Sequence, residues 1–211
     1  MLDVYYHPFS FPALGVVFTA EALGLSYERK IVDLMNGEQQ GEAFQAINPF
    51  GRVPAIKDGD FCLSESQAIA RYLSAKAGYK LYAEEVEVRA KIDEWMDFIL
   101  NHIRTPMGRV QFNRTIAPMM GQEPDEKSIA FGEHVLASNL PHIEAVLSQQ
   151  DYLCGDALTL ADISLVATLE PADMAKIDLT PFPALVAWLK TQRGTPWYTA
   201  VHSHFGAELG L

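Results

Sequence analysis

Residues 48–69 read Asn48-Pro49-Phe50-Gly51-Arg52-Val53-Pro54-Ala55-Ile56-Lys57-Asp58-Gly59-Asp60-Phe61-Cys62-Leu63-Ser64-Glu65-Ser66-Gln67-Ala68-Ile69 and carry the densest set of structural signals in the chain. Two short apolar runs, Val53 to Lys57 and Phe61 to Leu63, are joined by Asp58-Gly59-Asp60, and Asp-Gly between such runs predicts a β-hairpin. A helix follows over Ser64 to Lys76. Ile69, Tyr72 and Leu73 recur at helical spacing, Lys76 sits in the last turn, and Gly78 stands where a left-handed C-cap belongs. Val53-Pro54, after Gly51-Arg52, is a place for a turn or a cis bond. Glu65-Ser66 lies where the first N–H groups of a helix have no intrahelical partner, so an anion would bind there.

Toward the N-terminus, Leu2 to Tyr6 and Tyr27 to Val32 read as strands, while Leu14, Val17, Phe18 and Leu25 between them recur at helical spacing. With the polar segment Asn36 to Ala46, the order is β-α-β-α-β-β-α, an α/β unit. Beyond about Glu84 no strand pattern remains. Val88, Ile92, Trp95, Ile99 and Ile103 form the apolar stripe of a long amphipathic helix, which Pro106 is expected to kink or end. Further helices are expected over Pro124 to Leu147, with Pro141 as a disturbance, from Thr159 onward, over Pro183 to Gln192 and over Pro196 to His204. Thr159 as N-cap and Asp162 at N3 form a capping-box variant flanked by the staple residues Leu158 and Ile163, so both polar residues are assigned to structure. The expected division is a first domain over 1–78, a linker over 79–85 and a helical domain over 86–211.

The composition, 49% apolar and 20% charged in 211 residues, is that of a folded globular chain. A net charge of −11 repels nucleic acid and anionic membrane surfaces, so neither is an expected partner. Cys62 and Cys154 fit neither a redox pair nor a zinc spacing, Cys62 reads as an inert buried thiol, and the opening Met1-Leu2-Asp3-Val4 has no basic leader. A cytoplasmic protein with reduced thiols is expected. His202-Ser203-His204 lacks a third ligand at sensible spacing, so no metal is expected.

Asn48 to Pro54, Asp58 to Asp60 and Leu63 to Ile69, in this order, resemble the glutathione-binding half of the cytosolic glutathione transferases. His7-Pro8-Phe9-Ser10 is similar to the phi-like branch that uses serine, and the staple and capping box at Leu158 to Ile163 extend the likeness into the helical half. The resemblance implies an α/β thioredoxin-like N-terminal domain plus an all-α helical C-terminal domain, a homodimer, and glutathione as co-substrate. In that frame Val53 pairs its backbone with the cysteinyl part of glutathione beside a cis Pro54. Ser66 takes the γ-glutamyl carboxylate, Glu65 lies near the α-amino group, and Ser10 donates its hydroxyl hydrogen bond to the sulfur. Gln40 and Arg52 complete the glutathione contacts, with Gln40 where relatives often carry Lys or His for the glycyl carboxylate. Tyr6 rivals Ser10, since other branches use a tyrosine near the end of the first strand.

Taken singly, each residue has a plainer role: Ser10 as an N-cap, Glu65 and Ser66 as helix-start residues, Pro54 as a trans proline in an edge strand. Many serine-type relatives carry Arg soon after the serine, whereas this chain has Phe11-Pro12-Ala13-Leu14-Gly15. Phe9, Phe11, Met107, Gln111, Phe112 and Met119 are the expected walls of a pocket for a hydrophobic electrophile. The function implied is conjugation of glutathione to such electrophiles. Glutathione-dependent peroxide reduction or isomerisation on the same site, and a non-enzymatic carrier or partner module, are the alternatives. Serine rather than cysteine at position 10 argues against thiol–disulfide exchange.

Overall fold

In the computed structural model, which describes residues 1–204, the chain divides into two compact units: Met1–Glu84 together with the segment from Arg193 onward, and Glu85–Gln192. The first unit runs β1 (Leu2–Tyr6), α1 (Phe11–Leu23), β2 (Tyr27–Ile31), a short 3-10 turn (Glu38–Gln40), α2 (Glu42–Gln45), β3 (Ala55–Asp58), β4 (Phe61–Ser64) and α3 (Ser66–Lys76). The sheet order is β2-β1-β3-β4, with β1 parallel to β2 and antiparallel to β3, and β3 antiparallel to β4. This is the thioredoxin-like arrangement. The expected hairpin is present, and Asp58 faces Phe61 across the two-residue tip Gly59-Asp60. The Tyr72 hydroxyl donates to Asp58 at 2.9 Å and Lys76 also reaches that carboxylate, which fastens the hairpin to α3.

Side-chain alternation along β1 settles what each face covers. Leu2, Val4 and Tyr6 are buried, and Tyr5, on the opposite face, meets Phe44 of α2 edge-on at 6.0 Å. Helix α1 packs against α3. The helix over Pro196–His202 packs on α1, where Phe18 meets Trp197 edge-on at 5.5 Å and stacks on Tyr198 at 5.4 Å. Arg29 adds a bond to the Val201 carbonyl. Residues 193–204 therefore belong with the first unit, whereas the sequence pattern places them in the helical domain.

The second unit contains α4 (Val86–Phe98), α5 (Thr105–Gln111), α6 (Ala117–Met119), α7 (Glu126–Leu147), α8 (Leu160–Leu169) and α9 (Pro183–Arg193), the last residue of which already lies in the first unit. The buried stripe of the first long helix is Ile92, Met96, Ile99 and Ile103, while Val88 is 48% exposed and Trp95 lies on the flank. Pro106 neither ends nor breaks the helical path. π-Helical turns over Ile99–Arg104 and Phe112–Ile116 link α4, α5 and α6, and the wider turn ahead of Pro106 absorbs the missing donor. The Thr105 hydroxyl donates to the Leu100 carbonyl at 3.0 Å. Helix α7 runs through Pro141. Gly132 is the contact with α5: a Cβ there would lie 2.6 Å from Val110 Cγ2 and 3.0 Å from the Pro106 carbonyl oxygen. Asp162, fully buried, accepts the Leu153 N–H, the Thr159 N–H and the Thr159 hydroxyl, each at 2.8 Å. That is the expected capping box with an additional loop anchor.

Candidate active site

Strand register brings the sequence motifs to one end of the sheet. Tyr5 of β1 faces Ala55 of β3, and Ala55 faces Ser64 of β4. The end of β1, the start of β3 and the end of β4 therefore coincide, and with them the His7-to-Ser10 loop, Val53-Pro54 and Glu65-Ser66. β2 runs parallel to β1, and the Val32 N–H donates to the Tyr6 carbonyl, so the segment carrying Gln40 leaves from the same end.

Ser10 occupies the N-cap position of α1 with extended backbone, but its hydroxyl makes no capping bond. The cap is made by the main chain: the Ser10 carbonyl accepts the Ala13 and Leu14 N–H groups at 2.8 and 3.0 Å. Pro12 has no N–H to offer, so the half-buried Ser10 hydroxyl and the Phe11 N–H are the donors that this helix start presents. Ser10 thus holds the N-cap position that its plainer reading gives it, but without a side-chain bond to the helix. Tyr6 has no solvent exposure, because the parity of β1 turns it onto the buried face with Val4.

Asn48 builds the loop that carries Val53. It is 2% exposed, and its side-chain oxygen accepts the Phe50 N–H at 3.0 Å while its amide donates to the Arg52 carbonyl at 2.6 Å. Gly51 adopts φ 59°, a left-handed conformation, and a Cβ there would press on the Gln40 amide and the Gln39 carbonyl at 3.0 to 3.2 Å. Gln40, itself exposed, donates to the Gly51 carbonyl at 3.3 Å, which uses one of its two amide hydrogens and leaves the other. Arg52 is exposed. The Val53–Pro54 peptide is cis, and Val53 packs against the cluster of Val32, Phe44 and Ala55. The motif resemblance assigns Asn48 no role; the sequence signal for this one is Asn followed by Pro and Gly, an Asx-turn pattern.

Glu65 holds φ 69° and ψ 111°, a conformation that costs a non-glycine residue roughly 1 to 3 kcal/mol. Its side chain is exposed and makes no cap bond, so the helix does not require the carboxylate. Ser66 opens α3, and Gln67 behind it is 8% exposed. In the loop after β1, the Phe9 N–H donates to His7 Nδ1 at 3.2 Å. Of the expected pocket walls, Phe9 is 40% exposed and Phe11 buried in the first unit. In the second, Met107 and Gln111 are buried, while Phe112 and Met119 are 43% and 59% exposed. The surface available to a ligand in the second unit is thus offered by Phe112 and Met119 rather than by Met107, which has 0% exposure. Cys62 is half-buried rather than buried, and His202 stacks on Tyr198 at 4.0 Å.

Comparisons with known proteins agree with this geometry. Residues 1–75 match the family Glutathione S-transferase, N-terminal domain, and residues 80–196 match Glutathione S-transferase, C-terminal domain. The chain is 37% identical over 167 residues to glutathione S-transferase F10 of Arabidopsis thaliana, covering 78% of both chains. A solved glutathione S-transferase-I bound with lactoylglutathione superposes with a TM-score of 0.88 at 28% identity, covering 96% of this chain and 98% of the other. Glutathione S-transferase I from maize, in complex with an atrazine glutathione conjugate, gives the same TM-score and identity and covers 96% of each chain. With both halves matched and the plant F-type (phi-class) enzymes among its relatives, the chain belongs to the glutathione S-transferase family.

Proposed function

We propose that the protein joins the thiolate of glutathione to hydrophobic electrophiles, with Ser10 as the donor that stabilises the thiolate. The observation that carries this reading is the Ser10 hydroxyl, left out of the α1 cap at the sheet end where Val53-Pro54 and Glu65-Ser66 also lie. Glutathione lies along Val53 in strand-like pairing, its γ-glutamyl carboxylate on Ser66, its amino group toward Glu65, and its glycyl end toward Gln40 and Arg52. The thiol releases its proton to solvent, the sulfur attacks the electrophilic carbon, and the leaving group departs with the bonding pair. Phe9, next to Ser10 in the chain and 40% exposed, supplies apolar surface for the electrophile.

The energetics fit a single donor. A thiol of pKa about 8.5 must fall by about two units to ionise at neutral pH, which is about 2.7 kcal/mol. A hydrogen bond to a charged acceptor contributes about 1.5 to 3 kcal/mol, and a helix start about 0.3 to 1. No base, nucleophilic side chain or metal is required by this scheme. The reading includes a homodimer, favoured by Phe50, 66% exposed at the tip of the loop before Val53, and by Phe61, 47% exposed on the edge strand β4. It also includes a cytoplasmic location, favoured by the two free cysteines.

Steady-state conjugation of glutathione to an aryl halide tests the assignment. Ser10→Ala lowers turnover at least ten-fold with modest change in the KM for glutathione, whereas Ser66→Ala mainly raises that KM. The opposite pattern overturns the roles.

A further inference from the structure

We infer that His7 is a positioning residue for Ser10: its Nδ1, accepting the Phe9 N–H, locks the connection between β1 and α1 on which Ser10 is carried. The inference rests on the reading of Ser10 as thiolate donor. His7 holds the next two donors of the chain with two different atoms. Its ring nitrogen takes the Phe9 N–H at 3.2 Å and its carbonyl takes the Ser10 N–H at 2.9 Å. Pro8, between them, has a fixed φ and no N–H of its own. The His7 and Phe9 rings lie 5.6 Å apart, and on the far side the Ser10 carbonyl is tied to Ala13 and Leu14. The backbone of Ser10 is thereby determined from both directions, which matters because its hydroxyl is not held by the helix cap.

A side-chain acceptor at one residue receiving the N–H two residues later is the geometry of an Asx turn, here made by an imidazole. Acceptance at Nδ1 fixes the proton on Nε2 and requires the neutral ring. Protonation turns Nδ1 into a donor facing a donor, and the brace is lost. Burial lowers the His7 pKa, and Asp33, just past β2, opposes that shift as the one charged group acting on the ring among the described residues. Asp33 is itself engaged by the Asn36 N–H at 3.0 Å and the Asn36 amide at 2.6 Å. The ring is neutral at pH 7 and charges on the acid side.

Turnover with saturating glutathione and an aryl halide, measured from about pH 5 to 8 for the wild type, His7→Ala, His7→Asn and Ser10→Ala, tests this, with thermal unfolding as a check on folding. Asparagine can accept the same N–H without titrating; alanine cannot. The expected result is a three- to ten-fold lower turnover in His7→Ala at pH 7.5, roughly the loss of one hydrogen bond. His7→Asn keeps wild-type turnover but shows a shallower acid limb, with one ionisation fewer. The inference is overturned by His7→Ala matching the wild type in turnover and acid limb, or by His7→Asn being as impaired as His7→Ala; in both cases a Ser10→Ala defect leaves the Ser10 reading standing. A Ser10→Ala enzyme with wild-type turnover overturns the Ser10 reading itself and this inference with it.

Discussion

Ser10 and Tyr6 show how far a single position could be read. Both stand near the end of the first strand, and only the β1 parity, with Tyr6 at 0% exposure, separates them. The sequence contains the alternation but not which face of the sheet is covered first. Serine before a helical pattern reads as a cap, and Ser10 does stand at the N-cap, but its carbonyl and not its hydroxyl takes the Ala13 and Leu14 N–H groups. Ser10→Ala should for the same reason leave the melting temperature within about a degree while turnover falls, since no side-chain cap is lost. A drop of several degrees would show that the hydroxyl supports the helix after all. Burial pushes the Cys154 thiol up to about 11, so the thiol stays protonated at neutral pH. Iodoacetamide at pH 7.5 should accordingly alkylate Cys154 at least ten-fold more slowly than free glutathione, read by mass spectrometry of the peptide that contains it. Alkylation at an equal rate would mean that the thiol is ionised.

Elements with strong local chemistry were legible: the Asp58-Gly59 hairpin and the Thr159–Asp162 box stand where the residues pointed, and α3 ends at Lys76 as expected but starts at Ser66, because Ser64 pairs with Ala55 in β4. The π-helical turns on either side of α5 were not, because an i→i+5 turn has no residue signature of its own, and Pro106 alone pointed to a break. The stripe of α4 was displaced by one residue for a similar reason: Trp95 and Met96 are both apolar, and only the packed helix chooses Met96. Burial holds the Asp162 carboxyl at about 6 in spite of its three donors. Its folded pKa exceeds the unfolded value near 3.9, so the fold binds the extra proton, and this contribution is complete below about pH 4 and lost as pH rises through about 6. Relative to Asp162→Asn, wild-type stability should fall by on the order of 3 kcal/mol between pH 4 and 8 in urea titrations; a flat difference would mean that Asp162 does not titrate in this range. Gly132→Ala should cost about 1 to 3 kcal/mol of unfolding free energy, because the new methyl meets Val110 and the Pro106 carbonyl, and an unchanged urea midpoint would show that α5 and α7 yield there.

For the molecule as a whole, the order of motifs identified the architecture and the family, but the boundaries of the two units did not follow chain order. The sequence pattern places a helix over Pro196 to His204 without saying on which surface it packs; Phe18 and Arg29 of the first unit supply that surface. Oligomeric state belongs to this scale, and Phe50 is its sharpest probe. In analytical ultracentrifugation Phe50→Ala should move a dimeric wild type toward monomer at low micromolar concentration, and an unchanged dimer would remove Phe50 from the interface. The role of Ser10 turns on the ionisation of bound glutathione. Thiolate absorbance at about 240 nm, titrated against pH for glutathione on the wild type, Ser10→Ala and Tyr6→Phe, should show a bound thiol about two units below the free value of about 8.5 in the wild type and in Tyr6→Phe, and a value returned toward the free one in Ser10→Ala alone. A bound thiol that titrates like the free one in all three proteins, or that is restored by Tyr6→Phe and not by Ser10→Ala, would contradict it.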